Sequence, residues 1–239
     1  MKAFVQFLIL TTSVSLLFSC QKTAKPLPQT NEYTLTLRPD STAAQDSYVA
    51  LIDNDPADGN TNLNFAHELV MARWTLSWHN YDSATWRGYL RFDSLAKIPA
   101  TATVTSAILY LYGEGTDSSA SFPFGDSYPS NNSYANGSLI QMVTGGTWTQ
   151  DSITWNNAPA ATSAGQDTIP PSTSSWNYNV AVDITNMVKQ QVASPSTNFG
   201  YLLKLQTEQN YRAMEFATSE CPDSLERPQL IVTYTITTN

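Results

Sequence analysis

Residues 86–113 read WRGYLRFDSLAKIPATATVTSAILYLYG and hold two apolar runs, Gly88–Phe92 and Val104–Tyr112. β-Branched and aromatic residues fill both runs, and Ile98-Pro99 lies in the polar turn between them, where the proline cannot donate to a sheet. The stretch predicts two strands of one sheet. Apolar residues fall on both faces of the second run, which is typical of a central strand packed on both sides. We therefore expect the core here.

Short β-type runs separated by turn-rich loops continue along the rest of the chain. They cover Tyr33–Leu37, Tyr48–Ile52, Leu69–Leu76, Leu139–Val143, Asn179–Val182, Tyr201–Leu205, Arg212–Phe216 and Leu230–Thr235. Many short strands with turns between them predict an all-β fold, a jelly-roll-like antiparallel β-sandwich.

One helix is predicted after Asp183, whose side chain can cap the first free amides. Apolar residues recur at near-helical spacing before Pro195 ends the segment: Ile184, Met187, Val188 and Val192. We expect this short helix to cap one end of the sandwich.

Composition limits the classes of partner. The chain has 239 residues, of which 13% are charged, and its formal net charge is −8. Proteins that bind nucleic acid gain most of their affinity from Lys and Arg on phosphates, so this balance argues against a nucleic-acid partner. The length fits one β-domain with appendages.

The N-terminus predicts export. Lys2 precedes an apolar segment, Ala3–Phe18, that is too short to span a bilayer and has the length of a secretory signal. The sequence Leu-Phe-Ser-Cys at residues 17–20 resembles a bacterial lipobox, which would make Cys20 the lipidated first residue of the mature protein. An ordinary signal peptide that happens to contain a cysteine is the alternative. Lipidation of Cys20 would leave Cys221 without a disulfide partner.

This organisation predicts three parts: a lipoprotein signal peptide at residues 1–19, a flexible tether at 20–32, and one β-sandwich domain at 33–239. Acyl chains on Cys20 would hold the domain at a membrane. We expect a lipid-anchored envelope protein in the outer membrane, exposed at the surface.

Several blocks together resemble the DNRLRE-domain proteins, which are similar to the carbohydrate-binding modules of family 96. They occur in order from about Asp46 to Thr235: DSYV, RGYLRFDSLAKIPATATVTSAILYLYG, GTWTQDSITWNNAP, NVAVDITNMV and ERPQLIVTYT. The LRFDSLAKIPA block is one or two residues longer than is usual in the family. The resemblance implies a β-sandwich that binds polysaccharide, in characterised cases acidic alginate-like chains.

Aromatic side chains are the first candidate ligand contacts, because sugar rings stack their apolar face on aromatics. Four aromatics crowd the polar segment ARWTLSWHNYDSATWRG: Trp74, Trp78, Tyr81 and Trp86. They contact a ligand or form a small private core. Tyr128 and Tyr134 in the loop 113–137 are weaker candidates, whereas Trp148, Trp155 and Trp176 are expected to pack in the core.

Arginines are the second group of candidates, because a guanidinium binds a carboxylate with two hydrogen bonds and would suit an acidic glycan. Arg87 and Arg91 share one face of a predicted strand, and Arg212 lies on a late strand that could sit beside it. In the alternative interpretation these arginines pair with Asp93, Glu215 or Glu220 and hold the sheet together.

The loop DNDPADGN at residues 53–60 offers oxygen donors close together, with a glycine for a sharp bend. Asp53, Asp55 and Asp58 are therefore candidate ligands of a structural calcium ion. The spacing differs from that of an EF-hand, and a solvated acidic turn is the alternative.

Catalysis finds little support in the sequence. His67 and His79 belong to no nucleophile or metal motif, and neither Gly-x-Ser-x-Gly nor His-Glu-x-x-His occurs. We therefore expect a non-catalytic lipoprotein that captures extracellular polysaccharide at the cell envelope. The alternative is a structural or adhesion protein of the envelope or extracellular matrix that binds a protein partner.

Overall fold

A computed structural model of the chain describes residues 27–38, 40, 44–64, 67–113, 134–175 and 177–238. Three residues of the sequence-based predictions, Cys20, Tyr128 and Trp176, lie outside the described residues. Within the described residues the chain forms eleven strands and one α-helix. The strands are β1 (Gln29–Leu37), β2 (Ala44–Ile52), β3 (Glu68–Thr75), β4 (Ser83–Phe92), β5 (Thr103–Leu111), β6 (Ser138–Val143), β7 (Ala161–Ile169), β8 (Val180–Asp183), β9 (Tyr201–Leu205), β10 (Arg212–Ala217) and β11 (Gln229–Thr238).

Two antiparallel sheets form the sandwich, and the predicted fold class is confirmed. The smaller sheet has the strand order β1-β11-β5-β8. The larger has the order β10-β3-β4-β9-β6-β7, with β2 paired along β4. β1 begins at Gln29 and pairs with the end of β11, so residues 29–32, which the sequence analysis assigned to the tether, belong to the smaller sheet.

The prediction that residues 86–113 form two strands of one sheet is wrong. The first run lies in β4 of the larger sheet and the second in β5 of the smaller one. A 3-10 helix at Asp93–Lys97 and the turn at Ile98-Pro99 carry the chain from one sheet to the other. Alternation along β5 buries one face fully and leaves the other half-exposed, which fits a strand packed on one side.

The main core lies between the sheets and joins the two halves of that stretch. Leu90 and Phe92 of β4 meet Leu109 and Leu111 of β5 in one buried cluster. The four side chains are at most 1% exposed, so each adds on the order of 1.5–3 kcal/mol of burial. The sequence therefore placed the core correctly, although it placed both strands in one sheet.

The helix α1 (Thr185–Ala193) follows the sequence-based prediction closely. Asp183 Oδ1 accepts a hydrogen bond from the amide of Thr185 at 2.9 Å, and Pro195 lies just beyond the helix end. Three of its apolar residues, Met187, Val188 and Val192, belong to the main core. None of the helices in the described part of the chain is both long and apolar enough to cross a lipid bilayer.

A second apolar cluster lies on the opposite face of β4. Residues alternate between faces along a strand, so Tyr89 points away from the main core that holds Leu90. Tyr89 packs with Val49, Leu202 and Trp148 in this separate cluster. The larger sheet therefore has apolar packing on both faces, and the second face carries a cavity.

Candidate functional site

A cavity of about 300 Å³ opens on the face of the larger sheet that carries Tyr89. Its floor comes from strands β2, β4, β9 and β6, and one wall is the loop that runs from Trp155 into β7. The polar or charged side chains that line it include Arg87, Gln141 and Lys204.

Strand register brings these residues together although they are far apart in the sequence. Val49 pairs with Arg87 across β2 and β4, and Tyr89 pairs with Leu202 across β4 and β9. Leu202 in turn pairs with Gln141 of β6. Since directly paired residues point to the same face, Val49, Arg87, Tyr89, Leu202 and Gln141 line one surface.

A glycine at the entry to β9 sets this register. Gly200 has φ +86°, and a Cβ added there would lie 2.5 Å from the backbone oxygen of Leu90. Only glycine lets the chain approach β4 so closely in this conformation. The strand that carries Leu202 and Lys204 is thereby fixed beside Arg87.

Arg87 lies at the centre of the cavity's polar contacts. Its guanidinium carbon is 4.5 Å from the ring centroid of Trp155, a cation–π contact. Its Nε and Nη2 donate to the two carboxylate oxygens of Glu208 at 2.7 and 2.9 Å. Lys204 Nζ is 3.7 Å from the same carboxylate. We call Arg87, Lys204 and Trp155, with the cavity between them, the cationic pocket.

The two cations of the pocket stabilise the ionised form of Glu208. Burial raises the pKa of Glu208. The hydrogen bonds and charge of Arg87 lower it, as does the charge of Lys204, and these effects outweigh burial. The pKa of Glu208 therefore lies below its ordinary value. Glu208 is therefore ionised at neutral pH and offsets one of two positive charges. A net positive charge remains in the pocket, although the whole chain is acidic.

Trp155 is held in place by its neighbours in the loop. The amide of Asn156 donates to the backbone oxygen of Gly59 at 2.9 Å, and its side chain donates to Asn60 Oδ1 at 3.0 Å. Tyr89 Oη donates to the backbone oxygen of Pro159 at 3.2 Å, and burial raises the pKa of Tyr89 to about 12. The indole is thus presented by a fixed loop, which lowers the entropy lost on binding.

The three predicted arginines do not share one site. Arg87 lies in the cationic pocket, whereas Arg91 donates to Asp93 Oδ1 at 2.5 Å and to the backbone oxygen of Trp148 at 2.7 Å. The pairing of Arg91 with Asp93 is the alternative that the sequence analysis had named. Arg212 lies on β10, which pairs with β3 and not with β4, and donates to the backbone oxygen of Ala135 at 3.1 Å.

The four predicted aromatics divide between interior and surface. Trp86 is 7% exposed, and Trp74 packs edge-on against Tyr211 with ring centroids 5.4 Å apart. Trp78 and Tyr81 are 73% and 72% exposed at the tip of the β3–β4 hairpin. Trp78 and Trp86 also line a second, smaller cavity of about 190 Å³. Ligand contact by these aromatics stays a prediction.

Carboxylates of the acidic loop at residues 53–60 already accept hydrogen bonds from groups of the same chain. Both carboxylate oxygens of Asp53 accept hydrogen bonds from Arg73, and Asp55 Oδ1 accepts one from the amide of Ala57. Among the described residues, no group of three His, Cys, Asp or Glu side chains is arranged to hold a metal ion. Calcium bound by Asp53, Asp55 and Asp58 would have to displace Arg73, and calcium binding there stays a prediction.

Sequence reasoning missed most of the cationic pocket. Trp155 is half-buried and lines the cavity, whereas the sequence analysis placed it in the core. Lys204, Gln141 and Glu208 belong to no short motif, and no motif in the sequence indicates that they meet. The alternation of Leu202 and Lys204 along β9 was the one available signal, since it puts Lys204 on the same face as Leu202.

Comparison with known proteins places the chain in a family. The family model of carbohydrate-binding module family 96 matches residues 39–234, a range that includes every residue of the cationic pocket. None of the curated proteins compared with the chain matches it. A carbohydrate-binding module is typically non-catalytic, and this chain belongs to carbohydrate-binding module family 96.

Proposed function

We propose that this protein is a non-catalytic lipoprotein that captures acidic polysaccharide in the cationic pocket. The observation that carries the proposal is the stacking of Arg87 on Trp155 beside Lys204, inside an open cavity of an otherwise acidic protein. Uronate residues combine a ring that has an apolar C–H face with a carboxylate, and these three side chains offer a partner for each part.

The hydrogen bonds of Arg87 support this assignment. Its Nε and Nη2 donate to Glu208, a pair in which Nη1 takes no part, and Arg87 lines the cavity. A guanidinium donates in its own plane along two edges, so a ligand carboxylate can bind the second edge while Glu208 holds the first. Lys204 adds a flexible cation for a second oxygen of the ligand.

Aromatic and amide groups supply the remaining contacts for a sugar. The indole of Trp155 offers an apolar face for the ring, and Gln141 offers an amide for the hydroxyl groups. Polar and apolar groups that converge in one concave site are typical of small-ligand binding. The open cavity suits one unit of a longer chain rather than a small molecule enclosed on all sides.

Membrane attachment is the second part of the proposal. A diacylated Cys20 followed by a tether that ends at β1 would hold the domain close to the outer surface of the membrane. Replacement of Cys20 by alanine should move the protein from the membrane fraction to the soluble fraction, and labelling with a fatty acid should disappear. Labelling that persists in the Cys20→Ala variant would contradict lipidation at this residue.

Affinity gel electrophoresis tests the ligand. The full chain should be retarded by alginate or polygalacturonate, and Arg87→Ala or Lys204→Ala should weaken the retardation by about tenfold or more. Because the protein is itself acidic, non-specific attraction to a polyanion would not produce this result. Lys189→Ala is the matched control, since it removes one exposed positive charge from α1.

The outcomes separate the two functions that the sequence left open. Retardation that is lost in Arg87→Ala and kept in Lys189→Ala supports polysaccharide capture. A wild-type protein that no acidic polysaccharide retards would overturn the proposal, and a protein partner that co-purifies with it would then favour the structural or adhesion role.

A further inference from the structure

A second cavity lies between two loops on the other side of the β2–β4 pair. The tip of the β3–β4 hairpin supplies one wall, including Trp78, and the loop after β2 supplies the other, including Asp58 and Thr61. Its floor is apolar and includes Ala50, Ala84 and Trp86. The cavity measures about 190 Å³, and we call it the Trp78 cleft.

The indole of Trp78 is held on a firmly folded turn and is still 73% exposed. The amides of His79 and Tyr81 both donate to the backbone oxygen of Leu76, at 3.0 and 2.9 Å. Asp82 accepts from Asn54 Nδ2 at 2.5 Å and lies 3.2 Å from His79 Nδ1, which ties the tip to the neighbouring loop. A large aromatic side chain fixed in the open beside a cavity offers a surface on which a ligand ring can stack.

The charges around the cleft select against an anionic ligand. Asp58 lines it, and His79, the residue after Trp78, lies 3.6 Å from Asp55 and 3.2 Å from Asp82. Arg73 is paired with Asp53 of the same acidic loop. The carboxylate in the lining and those on the adjoining turn and loop would repel a uronate that the cationic pocket attracts.

Asp58 also shows which groups a ligand would need. Burial and the neighbouring charge of Asp55 raise the pKa of Asp58, so its carboxylate has incomplete stabilisation where it stands. Hydroxyl donors relieve this deficit, because an ionised carboxylate accepts strong hydrogen bonds. A neutral sugar ring brings several such donors together with an apolar face for Trp78.

The two cavities do not compete for space. Trp86 and Arg87 are neighbours on β4 and point to opposite faces, as do Ala50 and Val49 on β2. Val49 and Arg87 line the cationic pocket, and Ala50 and Trp86 line the Trp78 cleft. A polysaccharide bound on one face would leave the other face open.

We propose that the Trp78 cleft is a second carbohydrate site, which binds one neutral sugar ring stacked on Trp78 with its hydroxyl groups on Asp58 and Thr61. The protein then holds an acidic and a neutral glycan at the same time, on opposite faces of one sheet. This inference is independent of the acidic ligand proposed above.

The test uses the full chain and neutral polysaccharides that carry no carboxylate. Soluble β-glucan, xylan and galactomannan are the probes, each run beside an alginate gel. We expect at least one of the three to retard the wild type, and Trp78→Ala to weaken that retardation by roughly 5- to 20-fold while alginate binding stays unchanged. Asp58→Asn should weaken it as well, and Arg87→Ala should leave it intact.

Tyr33→Ala is the matched control, since it removes a partly exposed aromatic from β1 in the other sheet. Thermal melting of each variant separates loss of folding from loss of binding. A wild type that none of the three neutral glycans retards, or neutral binding that Trp78→Ala leaves unchanged, would overturn the second site. A wild type that a neutral glycan retards and alginate does not would instead count against the cationic pocket and leave the second site standing.

Discussion

The central carbon of the Arg87 guanidinium lies over the ring of Trp155, 4.5 Å from its centroid. The two residues are 68 positions apart in the numbering, and they meet because the loop before β7 folds back over β4. Each side chain depends on the other: the indole lowers the freedom of the arginine, and the arginine covers one part of a half-buried indole. The contact is the centre of the cationic pocket.

Trp155→Ala should weaken binding to acidic polysaccharide. The variant loses the stacking surface and the cation–π contact, which together are worth about 1–2 kcal/mol, or roughly 5- to 30-fold in affinity. Trp155→Phe keeps an aromatic ring and should recover part of the loss. Isothermal titration with an alginate oligosaccharide measures both, and equal affinity of Trp155→Ala and wild type would contradict this role.

Glu208→Gln should bind acidic polysaccharide several-fold more tightly than wild type. In the wild type the carboxylate of Glu208 contacts both cations of the pocket, Arg87 and Lys204. A neutral amide at this position would leave their positive charges free to attract the ligand. Loss of the partly exposed ion pair should lower the free energy of unfolding by about 1 kcal/mol or less.

The same titration, repeated at rising salt, checks the cause. The gain in affinity of Glu208→Gln should shrink as salt increases, because it is electrostatic. Weaker binding by Glu208→Gln would instead show that Glu208 positions Arg87 for the ligand.

Arg91→Ala should lower stability and leave glycan binding unchanged. Arg91 donates to Asp93 and to the backbone oxygen of Trp148, and its guanidinium carbon lies 5.2 Å from the centroid of that indole. Loss of these contacts should cost about 1–3 kcal/mol in urea denaturation. Arg91→Lys should not restore stability, because lysine cannot reproduce the planar donor geometry. Impaired glycan binding by a folded Arg91→Ala would return Arg91 to the binding surface.

Asp46 should make the protein less stable as the pH rises. Burial, followed by the charge of Glu220, raises the pKa of Asp46 well above its ordinary value. Ser219 Oγ lies 3.0 Å from Asp46 Oδ1 and 3.1 Å from Glu220 Oε2, and its one proton can serve only one of them. When Asp46 is protonated, its carboxyl group can donate to Ser219 Oγ while the hydroxyl donates to Glu220, so both contacts are satisfied.

The sign follows from proton counting. Between the ordinary aspartate pKa of about 4 and the raised value, the folded state binds more protons than the unfolded state, so stability falls as pH increases, by up to about 1.4 kcal/mol per pH unit. Asp46→Asn should remove this slope, because its amide can donate to Ser219 Oγ without a charge. Urea denaturation from pH 4.5 to 8 measures the slope, and identical slopes for wild type and Asp46→Asn would refute the assignment.

Sequence patterns predicted the strands that contain apolar runs, whether these alternate with exposed residues as in β5 or are continuous as in β3, and they failed where no apolar run occurs. β7 has the sequence ATSAGQDTI and lies at an edge of the larger sheet with most of its residues exposed or half-buried. Little apolar area is buried there, so no hydrophobic period marks it. The error at residues 86–113 has a different cause: an apolar pattern identifies a strand but does not say which sheet the strand joins.

The amino-acid sequence by itself determined the all-β class, the position of the helix from Asp183 to Pro195 and the family resemblance, since these rest on local periodicity, capping and motifs. Only the tertiary structure decided that Arg87, Trp155, Lys204 and Glu208 form one pocket and that Trp78 stands beside another. The physical reason is strand register: hydrogen bonding across a sheet joins residues more than a hundred positions apart, and no local pattern encodes which strands become neighbours.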